Sequence, residues 1–392
     1  MKKATVTILA VAVAVVLAAA AAVFLLVKPT LTPAREPYVI GAFFSITGPA
    51  APLGTPERDT LLMLAEEINA AGGINGHELK VIIEDDGSDP TNAVKAVKKL
   101  LEQDGVIGII GGSSTGTTKA VIPLIQEAQK PFITCCAGSV GVTDPVIPWV
   151  FRTPQTDKIM VEKILEYLNS IGITKVATIY DSNAYGTGGR DQIRLLAPAY
   201  GVTVVAEESF NTTDTDLTIQ LTKAKNAGAQ TIICWGTNPA PAILTRNRIQ
   251  LGIDIPLIQS HGVANEKFLE LSGDAAEGII MPAGKLFVAE GLPESDPQRR
   301  VLLSFASAFQ QKYGRGADTF GGHAWDGFKA MVAALEKAGT DAEALRKAIE
   351  NLKDFAGIGG VFTYAPDDHD GLTKEAAVLL RVENGAFRLF RR

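Results

Sequence analysis

From Tyr38 onward, short β-branched runs and amphipathic helices follow one another almost without interruption, and that rhythm decides the fold class. YVIGAFF, from Tyr38, precedes a stretch in which Leu61, Leu64, Ala65 and Ile68 share one helical face. LKVIIEDD, from Leu79, precedes one that gathers Val94, Val97 and Leu101. VIGII, a helix near Lys119 to Gln129, and PFITCC continue the series. Strands joined through helices run parallel, and a parallel sheet is stable when helices cover both its faces. The series restarts after Phe151: a helix carrying Val161, Ile164, Leu165 and Leu168 leads into KVATIY, TVVAEESF, TIICWG, PLIQSH and GIIMPA, with helices between most of them. This restart, in a stretch longer than the ~250–300 residues that one core serves, predicts an α/β protein with two doubly wound parallel sheets.

The last third breaks the rhythm. Helices near Pro297 to Tyr313, Gly322 to Ala338 and Asp341 to Leu352 follow one another without strands. The chain then ends in GGVFTYAP and AAVLLRVENGAFRLF, a strand pair turning at Asn384 and Gly385. Too few strands remain for a third domain, so these elements are expected to complete the two sheets. The chain would then pass between lobes more than once.

Met1, Lys2 and Lys3 open an uncharged apolar run from Ala4 to Val27. A helix of that length reaches across a bilayer core, and a basic start before an apolar core also describes a secretory signal. An uncleaved anchor and a long cleaved signal over residues 1–28 both stay open, and either exports the rest of the chain. Residues 29–37, rich in Pro and Thr, read as a tether. Cys135, Cys136 and Cys234 form neither a disulfide framework nor a metal-ligand spacing. A net charge of −6 gives no general reason to bind nucleic acid.

Residues 111–116, GGSSTG, contain G-x-S-x-G at Gly112, Ser114 and Gly116, the spacing of a hydrolase nucleophile elbow. A hydrolase also needs an acid, a His and an oxyanion loop. His261, His323 and His369 fall in different elements, and no HGGG-type loop precedes the serine. A phosphate-binding P-loop needs Lys where Thr117 stands. Ser114 therefore reads as a helix cap or as a ligand-holding hydroxyl at the carboxyl end of a parallel strand, where ligands sit in open α/β sheets, with a serine hydrolase using Ser114 as the remote alternative. CCAGSVGVTDP, from Cys135, is a second small, hydroxylated loop, its two thiols reading as buried small hydrophobes. YDSNAYGTGG, from Tyr180, puts Tyr185 at a sheet's carboxyl edge as a candidate ligand wall. Asp85, Asp86 and Asp89 lack the calcium-loop spacing, and Asp89 before Pro90 reads as a helix start.

Together with SITGPAAPLG, AEEINAAGGINGHELKVIIEDDGSDPTNAV, HGVANEKF and AAEGII, these loops resemble the leucine/isoleucine/valine-binding proteins of bacterial ABC importers, from about Tyr38 to the C-terminus. The resemblance implies the type I periplasmic binding protein fold: two doubly wound parallel-sheet lobes joined by a three-crossing hinge. Residues 38–154 and 286–372 would form lobe 1, and 155–285 and 373–392 lobe 2. It also implies a non-catalytic monomer without cofactor or metal, serving a membrane permease. An amino acid or organic carboxylate would lie between the lobes. By position, the groups holding the ligand carboxylate match Ser113, Ser114 and Thr115, then Cys136, Ala137, Gly138 and Ser139, and the Tyr that packs on the ligand matches Tyr185. Departures are Leu53 for an aromatic residue, Thr237 for a Tyr, and Gly138 near the place of a Thr.

The sharpest departure is His261, where amino-acid binders of this family carry an acid for the ligand ammonium. Imidazole cannot replace a carboxylate in that pairing, so an amine-free acid, aromatic acids included, becomes an alternative ligand. If an ammonium is held all the same, Asp326 is the acid expected to hold it. His323 and Trp325 are further candidates for the hinge side of the cleft.

Overall fold

The computed structural model describes Arg35 to Arg391, and the expectations for residues 1–34 lie outside the described residues. The strand-helix rhythm after Tyr38 builds a five-stranded, wholly parallel sheet. Its strands are β1 (Tyr38–Phe44), β2 (Leu79–Asp85), β3 (Gly108–Gly111), β4 (Phe132–Thr134) and β5 (Val150–Arg152), in the order β2-β1-β3-β4-β5. Helices α1 (Ala51–Ala70), α2 (Pro90–Glu102) and α3 (Thr115–Ala128) connect them. Side chains along β1 alternate between two cores. Ile40, Ala42 and Phe44 pack with Leu61 and Phe328, whereas Phe43 packs with Val97 and Ile125. Burial of both faces explains why β1 reads as a nearly continuous apolar run.

The second sheet has seven strands. β6 (Lys175–Asp181), β7 (Thr203–Phe210), β8 (Thr231–Trp235), β9 (Leu257–Gln259) and β10 (Ile280–Ala283) are parallel, with helices α4 (Asp157–Ser170), α5 (Ala184–Leu196), α6 (Thr218–Asn226), α7 (Ala240–Gln250) and α8 (Glu266–Ser272) around them. GGVFTYAP supplies β12 (Val361–Phe362), which pairs with β11 (Phe355–Ala356) in a separate ribbon. β13 (Val378–Glu383) lies antiparallel on β10 and β14 (Ala386–Leu389) antiparallel on β13, giving the order β14-β13-β10-β9-β8-β6-β7. The hairpin turns at Asn384 and Gly385, both with positive φ (53° and 69°), the geometry for which Asn-Gly is favoured. The second sheet is thus mixed at one edge.

The helices of the last third, α9 (Arg299–Tyr313), α10 (Thr319–Ala338) and α11 (Ala342–Glu350), pack on the first sheet, where Phe309, Phe328 and Leu345 join the core of Ile40 and Leu61. In both sheets the strand order reverses direction once, between β1 and β3 and between β6 and β8. Such reversals open a crevice at the carboxyl ends of the two strands, because their following helices cross to opposite faces. Among the described residues no helix is long and apolar enough to cross a membrane.

Candidate functional site

Both crevices face one cavity of about 230 Å³. From the first sheet come Leu53 in α1, Ser88 after β2, Ser113, Ser114 and Thr115 after β3, and Cys136 after β4. From the second come Tyr185 after β6, Thr212 after β7, Thr237 after β8 and His261 after β9. Seven of the expected residues therefore line one cavity: Ser113, Ser114, Thr115, Cys136, Tyr185, Thr237 and His261. Ala137, Gly138 and Ser139 are not part of it.

The GGSSTG turn is explained by backbone geometry. Gly112 has φ of +83°, and a Cβ there would fall 2.1 Å from Thr118 Oγ1, so this position tolerates no side chain. Ser114 caps α3: its Oγ accepts Thr117 N–H at 3.2 Å and lies 3.0 Å from Thr117 Oγ1. Helix capping and cavity lining are thus combined in one hydroxyl. Ser113 is tied inward, its Oγ accepting Ser45 N–H at 2.9 Å and hydrogen-bonding the fully buried carboxyl of Glu57. Burial pushes the Glu57 carboxyl up to about 8.

The second loop turns its carbonyls the other way. Arg152, fully buried at the end of β5, donates to the carbonyls of Ala137, Gly138 and Ser139 at 3.0, 3.0 and 2.9 Å, and its Nε lies 2.9 Å from Asp370 Oδ1. The loop's backbone is therefore fixed by a guanidinium from its own sheet, which keeps Ala137 to Ser139 behind Cys136. Burial holds the Cys136 thiol well above its usual range, so it stays a neutral SH.

On the opposite wall, Asn183 caps α5 by accepting the N–H groups of Tyr185 and Gly186 at 3.0 and 2.9 Å. The Tyr185 hydroxyl accepts Gly262 N–H at 3.0 Å and lies 3.3 Å from His261 Nδ1. Gly262 is required there, since a Cβ would come 2.8 Å from that hydroxyl. Trp235, Tyr185 and His261 form an aromatic cluster with centroids 5.5 to 6.0 Å apart. With Gly262 N–H on one lone pair, the Tyr185 hydroxyl can either donate to His261 Nδ1 or accept from it, the direction following the imidazole tautomer. Nε2 lies 3.9 Å from Asp157 Oδ1. Burial, and secondarily His323, pushes His261 down to about 3, so the ring is neutral. Burial also raises Asp157 to about 7, against the pull of Arg152 and Lys119, and among the described residues neither of its oxygens has a hydrogen-bond partner.

Other expectations resolve differently. Asp326 accepts the N–H groups of Ile358 and Gly359 at 2.6 and 2.7 Å and is not in the cavity wall, so it is not placed to hold a ligand ammonium. Trp325 stacks on Phe355, and the His323 carbonyl accepts the Thr153 hydroxyl; neither residue lines the cavity. Asp89 caps α2 through Asn92 N–H, as its place before Pro90 suggested. Asp85 and Asp86 anchor the loop after β1, accepting from Ile46, Thr47 and Ser45. Sequence reasoning missed Phe320, Thr212 and Ser88: Ser88 and Thr212 follow β2 and β7 at the carboxyl edges where ligands sit, a signal available in the sequence, whereas Phe320 reaches the wall through topology alone. No Asp, Glu, Lys or Arg lines the cavity among the described residues.

The family described as periplasmic binding protein matches residues 37–386. The leucine-, isoleucine-, valine-, threonine- and alanine-binding protein of Pseudomonas aeruginosa is 28% identical over 306 residues, which is 78% of this chain and 79% of that relative. An extracellular ligand-binding receptor from Rhodopseudomonas palustris HaA2 superposes with a TM-score of 0.85 at 30% identity, covering 91% of this chain and 100% of that one. The branched-chain amino acid transporter substrate binding protein LivJ of Streptococcus pneumoniae, solved with isoleucine, gives a TM-score of 0.80 at 25% identity over 90% of this chain and 98% of that one.

Proposed function

Because the chain belongs to the periplasmic binding protein family, alongside its leucine-, isoleucine- and valine-binding members, we propose that it is the extracytoplasmic receptor of an ABC importer and takes a small carboxylate without an amine. The observation that carries this reading is the uncharged wall. Hydroxyls and N–H groups at the start of α3 suit a carboxylate. Opposite them stand a neutral His261 and the ring of Tyr185, where an ammonium would need an acid. Leu53, Tyr185 and Phe320 supply apolar surface for the rest of the ligand. In this reading residues 38–154 with 286–372 close on residues 155–285 with 373–392, and ligand shifts the open-closed balance by binding the closed form better.

The named ligands of the relatives favour a second reading, a branched-chain amino acid. Asp157, behind His261 and without a side-chain hydrogen bond among the described residues, is then the acid that meets the ammonium once the imidazole swings aside. A thermal-shift panel of leucine, valine, 4-methyl-2-oxopentanoate and benzoate separates the two. A true ligand at 100 times its Kd adds about 2.7 kcal/mol of stability. The first reading expects a raised midpoint with an amine-free acid and none with leucine. Tight leucine binding that disappears in Asp157→Asn overturns it in favour of the second.

A further inference from the structure

Glu57 sits one helical turn after Leu53, fully buried behind two residues of the cavity wall, Ser113 and Cys136. Its Oε2 shares a hydrogen with Ser113 Oγ, and its Oε1 has no hydrogen-bond partner among the described residues. Ser113 Oγ already accepts Ser45 N–H, while Ser45 Oγ donates to Asp86 at 2.6 Å. A hydroxyl has one proton and two lone pairs. With Glu57 ionised, the single Ser113 proton must go to Oε2, and Ser113 turns only a lone pair toward the cavity. That arrangement repels a ligand carboxylate. With a proton on Glu57 Oε2, the carboxyl donates instead, both Ser113 lone pairs are filled, and the Ser113 proton is released toward the cavity.

We propose that Glu57 is a positioning residue of the cleft: as a neutral acid it turns the Ser113 hydroxyl into a donor for the ligand carboxylate, so that ligand and one proton are held together. This rests on the carboxylate reading above. The surroundings favour the neutral form. Burial outweighs the pull of the Cys136 thiol and the Ser113 hydroxyl, which favour the ionised form, and Asp86 after β2 and Asp318 before α10 face Glu57 as acids; the thiols of Cys135 and Cys136 beyond β4 are neutral. Burial places its titration near pH 8. If only the protonated form binds, the observed affinity scales with the protonated fraction and is about tenfold weaker one unit above that value.

The experiment is calorimetric titration of the mature wild type and of Glu57→Gln with benzoate and 4-methyl-2-oxopentanoate from pH 6 to 9. Both probes stay ionised across that range. Infrared spectra of the two proteins at pH 7 accompany the titrations. Glutamine keeps a donor toward Ser113 and cannot ionise, and any contribution from Asp157 or Asp318 remains in the variant. Between pH 6 and pH 9 the wild type should lose about tenfold more affinity than the variant, and the variant's spectrum should lack one protonated-carboxyl band. Identical pH profiles in the two proteins, or loss of binding by the variant at pH 7, overturn the proposal. Acid binding without that band in the wild type overturns the role of Glu57 and leaves the ligand reading standing. The band without binding of either acid at any pH defeats the ligand reading, and the coupling with it.

Discussion

Tyr185 and His261 meet edge to face, their ring centroids 5.5 Å apart, with the tyrosine hydroxyl 3.3 Å from Nδ1 of the imidazole. The same hydroxyl satisfies Gly262 N–H, so one oxygen holds both the imidazole and the loop behind it. Tyr185→Phe leaves that buried N–H unpaired, an expected loss of about 1–3 kcal/mol. Urea unfolding measures the loss. Affinity for whichever acid binds should fall as well, because His261 is released from its orientation.

His261→Glu changes the sign of the wall. A carboxylate there repels amine-free acids and gives an ammonium a partner, so the preference between leucine and 4-methyl-2-oxopentanoate should move toward leucine by tenfold or more, about 1.4 kcal/mol. Paired calorimetric titrations measure the shift. An unchanged preference means that the residue does not face the ligand.

Arg152 is the structural counterpart of that pair. Its guanidinium is completely buried and holds four carbonyls of the second loop, Ala137 to Val140, together with Asp370. Arg152→Met strands the buried carbonyls and leaves the part-exposed Asp370 without its cation, an expected loss of about 1–3 kcal/mol. A urea titration should show a lower midpoint with an unchanged slope.

Ser114→Ala removes a cap and a cavity hydroxyl together. Stability should fall by about 1 kcal/mol and ligand affinity with it. A fluorophosphonate should label neither wild type nor variant; labelling of Ser114 alone would reinstate the nucleophile.

Protons taken up on folding make stability depend on pH. Asp157 and Asp318 are raised to about 7 and Glu57 to about 8 in the native state, against ordinary carboxyl values near 4 in the unfolded chain. The native state therefore binds more protons between these limits, and stability falls as pH rises from about 4 to 8. Asp157→Asn removes one of the three, so its stability relative to wild type should be greater at pH 8 than at pH 5. Urea midpoints of both proteins at the two values provide the check.

Periodicity made both sheets readable, since each parallel strand buries both faces and each helix one stripe. Caps were readable for a similar reason: Asp89 and Ser114 lie directly between a strand end and a helical pattern. The orientation of the second loop was not. Nothing local marks Arg152 as an inward-facing cation, and its burial depends on carbonyls and an acid brought together from three separate segments. Phe320 reaches the cavity from a helix more than a hundred residues beyond the other walls of its lobe, a placement that no spacing encodes. The wall is legible where loops follow strands and illegible where distant helices close over them.

The hairpin at the end of the chain has a consequence for biosynthesis. β10 emerges at residues 280–283 with β9 on one side, and its other neighbour, β13, begins at Val378. At ~5–20 residues per second, the ribosome takes roughly 5 to 20 s to deliver that neighbour. Throughout this interval the N–H and C=O groups on one side of Ile280 to Ala283 are unpaired, a template for any other extended segment. A nascent chain of this architecture needs cover for that edge until β13 appears, and a truncation that removed β13 and β14 would leave the edge bare for the life of the molecule.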